Sequence, residues 1–147
     1  MTEGSTLLSW AIWLPILAGG AVLATGDDRN APLARLVALL GALAGFVVSI
    51  PLYTRFNNLT ADMQFVESAP WVETFKVNYH LGVDGISVLL ILLTSFTTVL
   101  VVLAGWKVIQ KRVAQYMAAF LIMSGLLIGV FAALDAILFY VFWEAML

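Results

Sequence analysis

Four apolar stretches, each long enough to cross a lipid bilayer, constrain this chain more than any other feature. They run over about 7–24, 36–53, 86–106 and 114–134, and a membrane helix needs about 20 mainly apolar residues. Hydrophobic residues make up 63% of the chain and charged residues only 11%, which lies well outside the composition of soluble globular domains. The sequence therefore predicts an all-α, polytopic transmembrane helix bundle.

A fifth apolar run, 136–147, is too short to cross the membrane and carries no Gly, Lys or polar cluster as a stop signal. We therefore expect residues 1–147 to be the amino-terminal part of one membrane domain, with four complete spans and a truncated fifth. The first ten residues contain no Lys or Arg, so they lack the positive region of a secretory signal peptide.

The polar segment at roughly 54–85 separates the second and third spans. Its alternating run at 74–80, TFKVNYH, predicts a short strand or hairpin lying on the membrane surface.

Basic residues predict the orientation in the membrane. Five of the seven Lys and Arg side chains flank the first loop or fill the third, and two lie on the opposite side: Arg29, Arg35, Lys107, Lys111 and Arg112 against Arg55 and Lys76. Cytoplasmic loops carry the excess of Lys and Arg. The amino terminus and the long polar segment are thus predicted to face the outside, which in a bacterium is the periplasm.

Glu144 is a lone carboxylate within the apolar run 136–147. As the ninth residue of that run it lies about 13 Å along a helix, near the middle of a hydrocarbon core about 30 Å thick. Placing a carboxylate there costs on the order of 2.5 to 3.5 kcal/mol, and intramembrane acids usually mark ion or substrate paths. We interpret Glu144 as a proton carrier; the alternative is a protonated or ion-paired Glu that helps helices pack.

Three further titratable residues are candidates for the same chemistry. Asp84 and Asp135 each precede an apolar run, where Asp is a favoured N-cap, so capping is one interpretation of both and a part in proton transfer is the other. Asp135 could also mark the mouth of a proton route whose middle is Glu144. His80 is the one histidine; its ordinary pKa of about 6.5 suits proton collection, and packing within the loop is the other interpretation.

Small and hydroxylic residues in the spans indicate close helix packing. Gly residues recur one turn apart at Gly41 and Gly45 and at Gly125 and Gly129, a spacing that lets membrane helices approach closely. Hydroxyl groups in the third span either bond across helices or line a hydrated path: Thr94, Ser95, Thr97 and Thr98.

Several classes of function are excluded by what the sequence lacks. Without cysteine there is no disulfide, no thiolate metal site and no cysteine-ligated cluster, and a single His predicts no metal site. No phosphate-binding loop or Ser/His/Asp set is present. The net charge of -2 gives no reason to expect nucleic acid as a partner. The apolar stretches predict contact with the lipid bilayer instead.

Two stretches together resemble a known family. They are YHLGVDGISVLL at 79–90 and LDAILFYVFWEAML at 134–147. Both are similar to subunit M of bacterial NADH:quinone oxidoreductase, respiratory complex I, and to its mitochondrial counterpart. The sister subunit L carries a Gly- and Cys-containing stretch after its Trp-Glu, so Glu144-Ala-Met-Leu147 fits the M type better.

This resemblance implies an antiporter-like, proton-translocating subunit in which Glu144 is the key acid of helix five. Its partner lysine would lie on a later broken helix that this sequence does not contain. The resemblance places flavin mononucleotide, iron–sulfur clusters and the quinone site in other subunits and none in this chain. The partners it implies are the other membrane-arm subunits of a bacterial inner-membrane complex.

Two other functions remain open from the sequence. One is the homologous subunit of a multi-subunit monovalent cation/proton antiporter or of a membrane-bound hydrogenase, which shares the helix-five glutamate. The other is a structural membrane anchor in which Glu144 only holds helices together.

Overall fold

Five α-helices and one β-hairpin make up the fold of the computed structural model, which describes residues 6–26 and 28–147. The elements are α1 Leu7–Ala24, α2 Ala31–Thr54, β1 Gln64–Val72, β2 Val77–Val83, α3 Gly85–Val108, α4 Val113–Ala132 and α5 Ala136–Met146. Short 3-10 turns stand at Asp28–Asn30 and Glu73–Phe75. The helices α1 to α4 are long and apolar enough to cross a membrane.

The predicted helices are confirmed, with changes at the ends of α2, α3 and α4. Helix α2 begins at Ala31 because Pro32 occupies its first turn, where a fixed φ favours helix initiation. Arg35, predicted to flank the first loop, therefore lies inside α2. Lys107 was placed in the third loop, and this was wrong, because α3 continues to Val108 and holds Lys107 in its last turn. Helix α4 ends at Ala132 because the next two residues pair with β2: Ala133 bridges Leu81, and the Leu134 amide donates to the His80 carbonyl.

The fold is not purely α-helical, because the polar segment forms an antiparallel hairpin of β1 and β2. The predicted strand at 74–80 begins only at Val77, since Glu73–Phe75 is a 3-10 turn and Lys76 adopts a left-handed φ of 56°. Strand β1 escaped prediction. It contains Pro70, which cannot donate to a ladder and is confined to edge strands and irregular positions.

Close approach at glycines explains how the helices pack. Helix α1 lies between α2 and α4. A Cβ added at Gly41 would clash with Ala18, and one added at Gly125 would clash with the Ile12 carbonyl. At Gly129 it would lie 2.7 Å from the ring of Phe142 on α5. The packing interpretation of the small residues is therefore confirmed.

Hydroxyl groups of α3 bond within their own helix. Thr94 Oγ1 donates to the Leu90 carbonyl at 2.8 Å, Ser95 Oγ to the Ile91 carbonyl at 3.1 Å, and Thr98 Oγ1 to the Thr94 carbonyl at 2.8 Å. These three bonds stay within α3 and do not join it to a neighbouring helix. That the hydroxyls, with Thr97, line a hydrated path stays a prediction.

Candidate functional site

Helix α5 turns Glu144 away from the rest of the described bundle. Its buried side chains are Leu138 and Phe142, which face α4 and the hairpin. With about 100° of rotation per residue, Glu144 lies roughly 200° round the helix from Phe142. Its side chain is accordingly exposed. The chain thus places a carboxylate on a helix face that the described residues leave uncovered.

The surroundings of Glu144 on that face are apolar and aromatic. Tyr140 stands one turn before it and is 59% exposed, and Ile137 is 48% exposed. No hydrogen bond or ion pair reaches the Glu144 carboxylate from residues 6–26 and 28–147. Sequence reasoning missed Tyr140 as a neighbour of Glu144, although its i, i+4 spacing was the signal that could have found it.

Asp135 caps the amino terminus of α5. One oxygen, Oδ1, accepts from the amides of Ile137 at 2.9 Å and Leu138 at 3.2 Å. The other, Oδ2, accepts from the Asn78 amide of β2 at 3.3 Å. The amides of Leu138 and Asn78 hold the pKa of Asp135 below its usual range, because bonds to the carboxylate favour its charged form.

Asp135 and Glu144 are not brought together. They stand nine residues apart on one helix, which is about two and a half turns, so their side chains point to opposite faces of α5. The capping interpretation of Asp135 is confirmed. Its place at the mouth of a proton route stays a prediction.

Asp84 plays the same capping part for α3. Its Oδ1 accepts from the Ser87 amide at 2.8 Å and from the Ile86 amide at 3.0 Å. The Ser87 amide is the largest of the influences that hold the pKa of Asp84 below its usual range. A carboxylate held in this way stays charged at neutral pH, and a negative charge at the amino terminus of α3 stabilises that helix.

His80 lies on β2, half-buried, beside the connection between α4 and α5. Its carbonyl accepts from the Leu134 amide at 2.8 Å, and its charge helps to lower the pKa of Asp135. The backbone of His80 therefore anchors the start of α5, while a proton-collecting role for its imidazole stays a prediction.

A polar network between α1 and the hairpin was missed by sequence reasoning. The Glu67 carboxylate accepts from the Ser9 amide at 3.0 Å and from Ser9 Oγ at 2.6 Å. The Tyr79 hydroxyl lies 3.1 Å from Ser9 Oγ and accepts from Trp13 Nε1 at 3.0 Å. Glu67 and Ser9 are 58 residues apart, so no local pattern in the sequence could indicate their contact.

Glu67 takes over the cap of α1. Thr6, at the N-cap position, makes no side-chain capping bond, and the Ser9 amide that it would satisfy is bonded to Glu67 instead. Three carboxylates thus cap α1, α3 and α5 at the same end of the bundle: Glu67, Asp84 and Asp135. Among residues 6–26 and 28–147, His and acidic side chains form no group that could hold a metal ion.

Comparison with known proteins assigns the chain to a family. Residues 34–133 match the model for the amino terminus of NADH-ubiquinone oxidoreductase chain 4. The chain belongs to this family. The match confirms the resemblance to the subunit M type.

Individual relatives agree with the chain 4 family. NADH-quinone oxidoreductase subunit M of Rhodobacter capsulatus is 44% identical over 95% of this chain and 27% of its own length. Subunit M of the F(420)H(2) dehydrogenase of Methanosarcina mazei is 40% identical over 71% of this chain and 21% of its own length. The chain therefore spans about a quarter of the length of the curated relatives it matches.

A solved structure supports the same fold. A chain of respiratory complex I from Thermus thermophilus, determined with bound NADH, superposes with a TM-score of 0.75 at 30% identity. The match covers 95% of this chain and 27% of that chain. Together with the four apolar helices, the family makes this chain a multi-pass membrane protein.

Proposed function

We propose that this chain belongs to a proton-translocating membrane-arm subunit of NADH:quinone oxidoreductase, with Glu144 as the proton carrier. The observation that carries the proposal is the position of Glu144 on an apolar helix, exposed on the face turned away from the bundle. A carboxylate there is costly unless it exchanges protons or meets a cation. Membership in the NADH-ubiquinone oxidoreductase chain 4 family supports coupling of this proton exchange to electron transfer from NADH to quinone.

Switching at Glu144 would follow from two opposing influences on its carboxyl group. Desolvation favours the neutral acid, and a nearby cation favours the carboxylate. Basic residues of the described helices stand at helix ends, with Arg35 in the first turns of α2 and Lys107 in the last turn of α3. The cation that acts on Glu144 is thus proposed to be a lysine outside this sequence.

The remaining parts of the proposal concern the setting of the subunit. The complex sits in a bacterial inner membrane, with the amino terminus and the hairpin on the periplasmic side. Flavin mononucleotide, iron–sulfur clusters and quinone bind to other subunits, which are also the partners of this one. The isolated chain catalyses no reaction.

The test is Glu144→Gln in the full-length subunit, measured as NADH-driven proton uptake and quinone reduction in membrane vesicles. Gln keeps the size and polarity of the side chain and removes only the ionisable group. The matched control is Glu73→Gln, because Glu73 lies exposed in the hairpin turn, outside the apolar helices. Native gel electrophoresis confirms that both variants assemble.

Loss of proton uptake in Glu144→Gln, with the Glu73→Gln complex unchanged, is the expected result. Normal uptake in both variants would refute Glu144 as the carrier and leave it as a packing residue, as the anchor function requires. Loss in both variants would show that the effect does not come from the intramembrane acid.

The electron donor is tested separately, because the F(420)H(2) dehydrogenase subunit of Methanosarcina mazei is nearly as similar as the Rhodobacter capsulatus subunit. Vesicles are supplied with NADH or with reduced F(420) in turn. Proton uptake driven by NADH supports the proposal. Uptake driven only by reduced F(420), or by a sodium gradient without any donor, would move the chain to another member of this group.

A further inference from the structure

An apolar groove lies between α2 and α3 at the basic end of the bundle. Its volume is about 460 Å³, and it is lined by Leu39 of α2 and by Leu103, Ala104, Trp106 and Lys107 of α3. This volume falls within the roughly 300 to 1,000 Å³ typical of ligand pockets. Leu103 is 49% exposed, and Ala104 and Lys107 are exposed as well, so the groove opens at the surface of the described bundle.

Two cationic side chains stand at the end of this groove. Lys107 forms part of its lining in the last turn of α3. Arg35 precedes Leu39 by one turn of α2, and its Nη2 donates to the Ile109 carbonyl just beyond α3 at 3.0 Å. Arg35 does not line the groove, so Lys107 is the cation that a ligand in the groove would meet.

The two ends of the bundle differ in charge. Residues 25–35 and 107–112 of the sequence, which connect α1 to α2 and α3 to α4, contain five basic residues and two acidic ones. At the opposite end the described residues hold Asp62, Glu67, Glu73, Asp84 and Asp135 against Arg55 and Lys76. An anionic ligand is therefore attracted to the groove end and repelled from the other.

Trp106 indicates at what depth in the membrane the groove lies. Trp is enriched where the hydrocarbon core meets the headgroups, and the long stem of Lys107 can lie along apolar surface while its ammonium reaches the headgroup level. Leu103 and Ala104, about one turn deeper, lie at the level of acyl chains. The groove thus offers an apolar wall below and a cation above.

We propose that this groove binds one anionic phospholipid. An acyl chain would lie along Leu39, Leu103 and Ala104, and the phosphate would meet Lys107. A lipid with a net negative headgroup is favoured over a zwitterionic one, because the choline of the latter brings a second positive charge to Lys107. Basic pockets between helices on one side of a membrane recognise headgroups in this way, and one basic side chain favours an anionic lipid about five-fold.

Photocrosslinking in the full-length subunit, within its assembled complex, tests this site. Leu103→p-benzoylphenylalanine places the crosslinker in the groove, and the complex is reconstituted in vesicles of phosphatidylcholine and phosphatidylglycerol in equal amounts. Mass spectrometry of the crosslinked peptide counts the two lipid adducts. Leu93→p-benzoylphenylalanine is the control, since Leu93 is exposed on the same helix but lies about 15 Å from Leu103 along the axis.

The expected result is about a five-fold excess of phosphatidylglycerol adducts at position 103 and equal adducts at position 93. Lys107→Gln should abolish most of the excess. Lys111→Gln, which removes an exposed charge beyond α3 and outside the groove lining, should keep it. Both substitutions alter side chains at exposed positions, so the fold is retained in each.

Three outcomes would overturn the proposal. Equal adducts at position 103 would show no preference for anionic lipid. An equal effect of Lys107→Gln and Lys111→Gln would assign the preference to the general surface charge and not to this groove. Crosslinks from position 103 to protein alone would show that another polypeptide covers the groove. None of these readouts depends on electron transfer or on Glu144.

Discussion

Glu67→Ala should weaken the attachment of the hairpin to α1, because it removes two hydrogen bonds to Ser9 and leaves those of the Tyr79 hydroxyl. The carboxylate accepts from the Ser9 amide at 3.0 Å and from Ser9 Oγ at 2.6 Å. Hydrogen bonds to charged groups contribute about 1.5 to 3 kcal/mol each. Because the pair is only partly buried, water replaces some of what is lost, and we expect the hairpin to open about 2 kcal/mol more readily.

Amide hydrogen exchange in the full-length protein measures this opening directly. A change of about 2 kcal/mol corresponds to roughly thirty-fold faster exchange at the ladder amides of β1 and β2. Glu67→Gln retains a neutral acceptor for one bond, so its exchange should fall between the wild type and Glu67→Ala. Glu73→Ala, on the same hairpin but at its exposed turn, should leave the ladder protected.

The reasoning is refuted if Glu67→Ala and Glu73→Ala give the same exchange within about two-fold, a difference worth less than 0.5 kcal/mol. Exchange that accelerates in β1 and β2 but not at the Ser9 amide would also contradict it. In that case the helix cap of α1 would not depend on Glu67.

Two further predictions concern helix contacts and pH. Gly125→Ala should destabilise the bundle by about 1 to 3 kcal/mol through overpacking, because the new Cβ meets the Ile12 carbonyl; Gly20→Ala, which meets open space, should not, as thermal unfolding in detergent would show. Asp84 and Asp135 have lowered pKa values in the fold, so their stabilisation is fully present above the ordinary Asp pKa of about 3.9 and is lost as the pH falls through the folded values. Asp84→Asn should weaken that acid dependence at little cost at neutral pH, because Asn caps helices about as well as Asp; an unchanged acid transition would contradict the capping contribution.

The helices were predictable because their signals are local. Apolar runs of membrane length define α1 to α4, and Asp84 and Asp135 mark the starts of α3 and α5 by a side chain that bonds amides two and three residues ahead. The glycines at Gly41 and Gly125 likewise predicted close contacts between helices. Each of these features is set by neighbours along one helix.

The parts that escaped prediction depend on residues far apart in the chain. Strand β1 forms because β2 pairs with it. Pro70 within β1 argues against a strand when the sequence is taken alone. Glu67 caps α1 across 58 positions. The orientation of Glu144 was also beyond the sequence, since the face of α5 that is covered depends on where α4 places Gly129 against Phe142. Periodicity locates a carboxylate along a helix, but only packing decides what it faces.

The pairing of β2 with the connection between α4 and α5 can form only late in the synthesis of this protein. Strand β2 leaves the ribosome before α3 and α4. The carbonyl of His80 therefore lacks its partner, the Leu134 amide, until these two helices have been synthesised. Chains emerge from their amino terminus, and an unpaired strand edge invites foreign strands. In the nascent protein, one edge of the hairpin thus stays unpaired until the residues just before α5 pair with it.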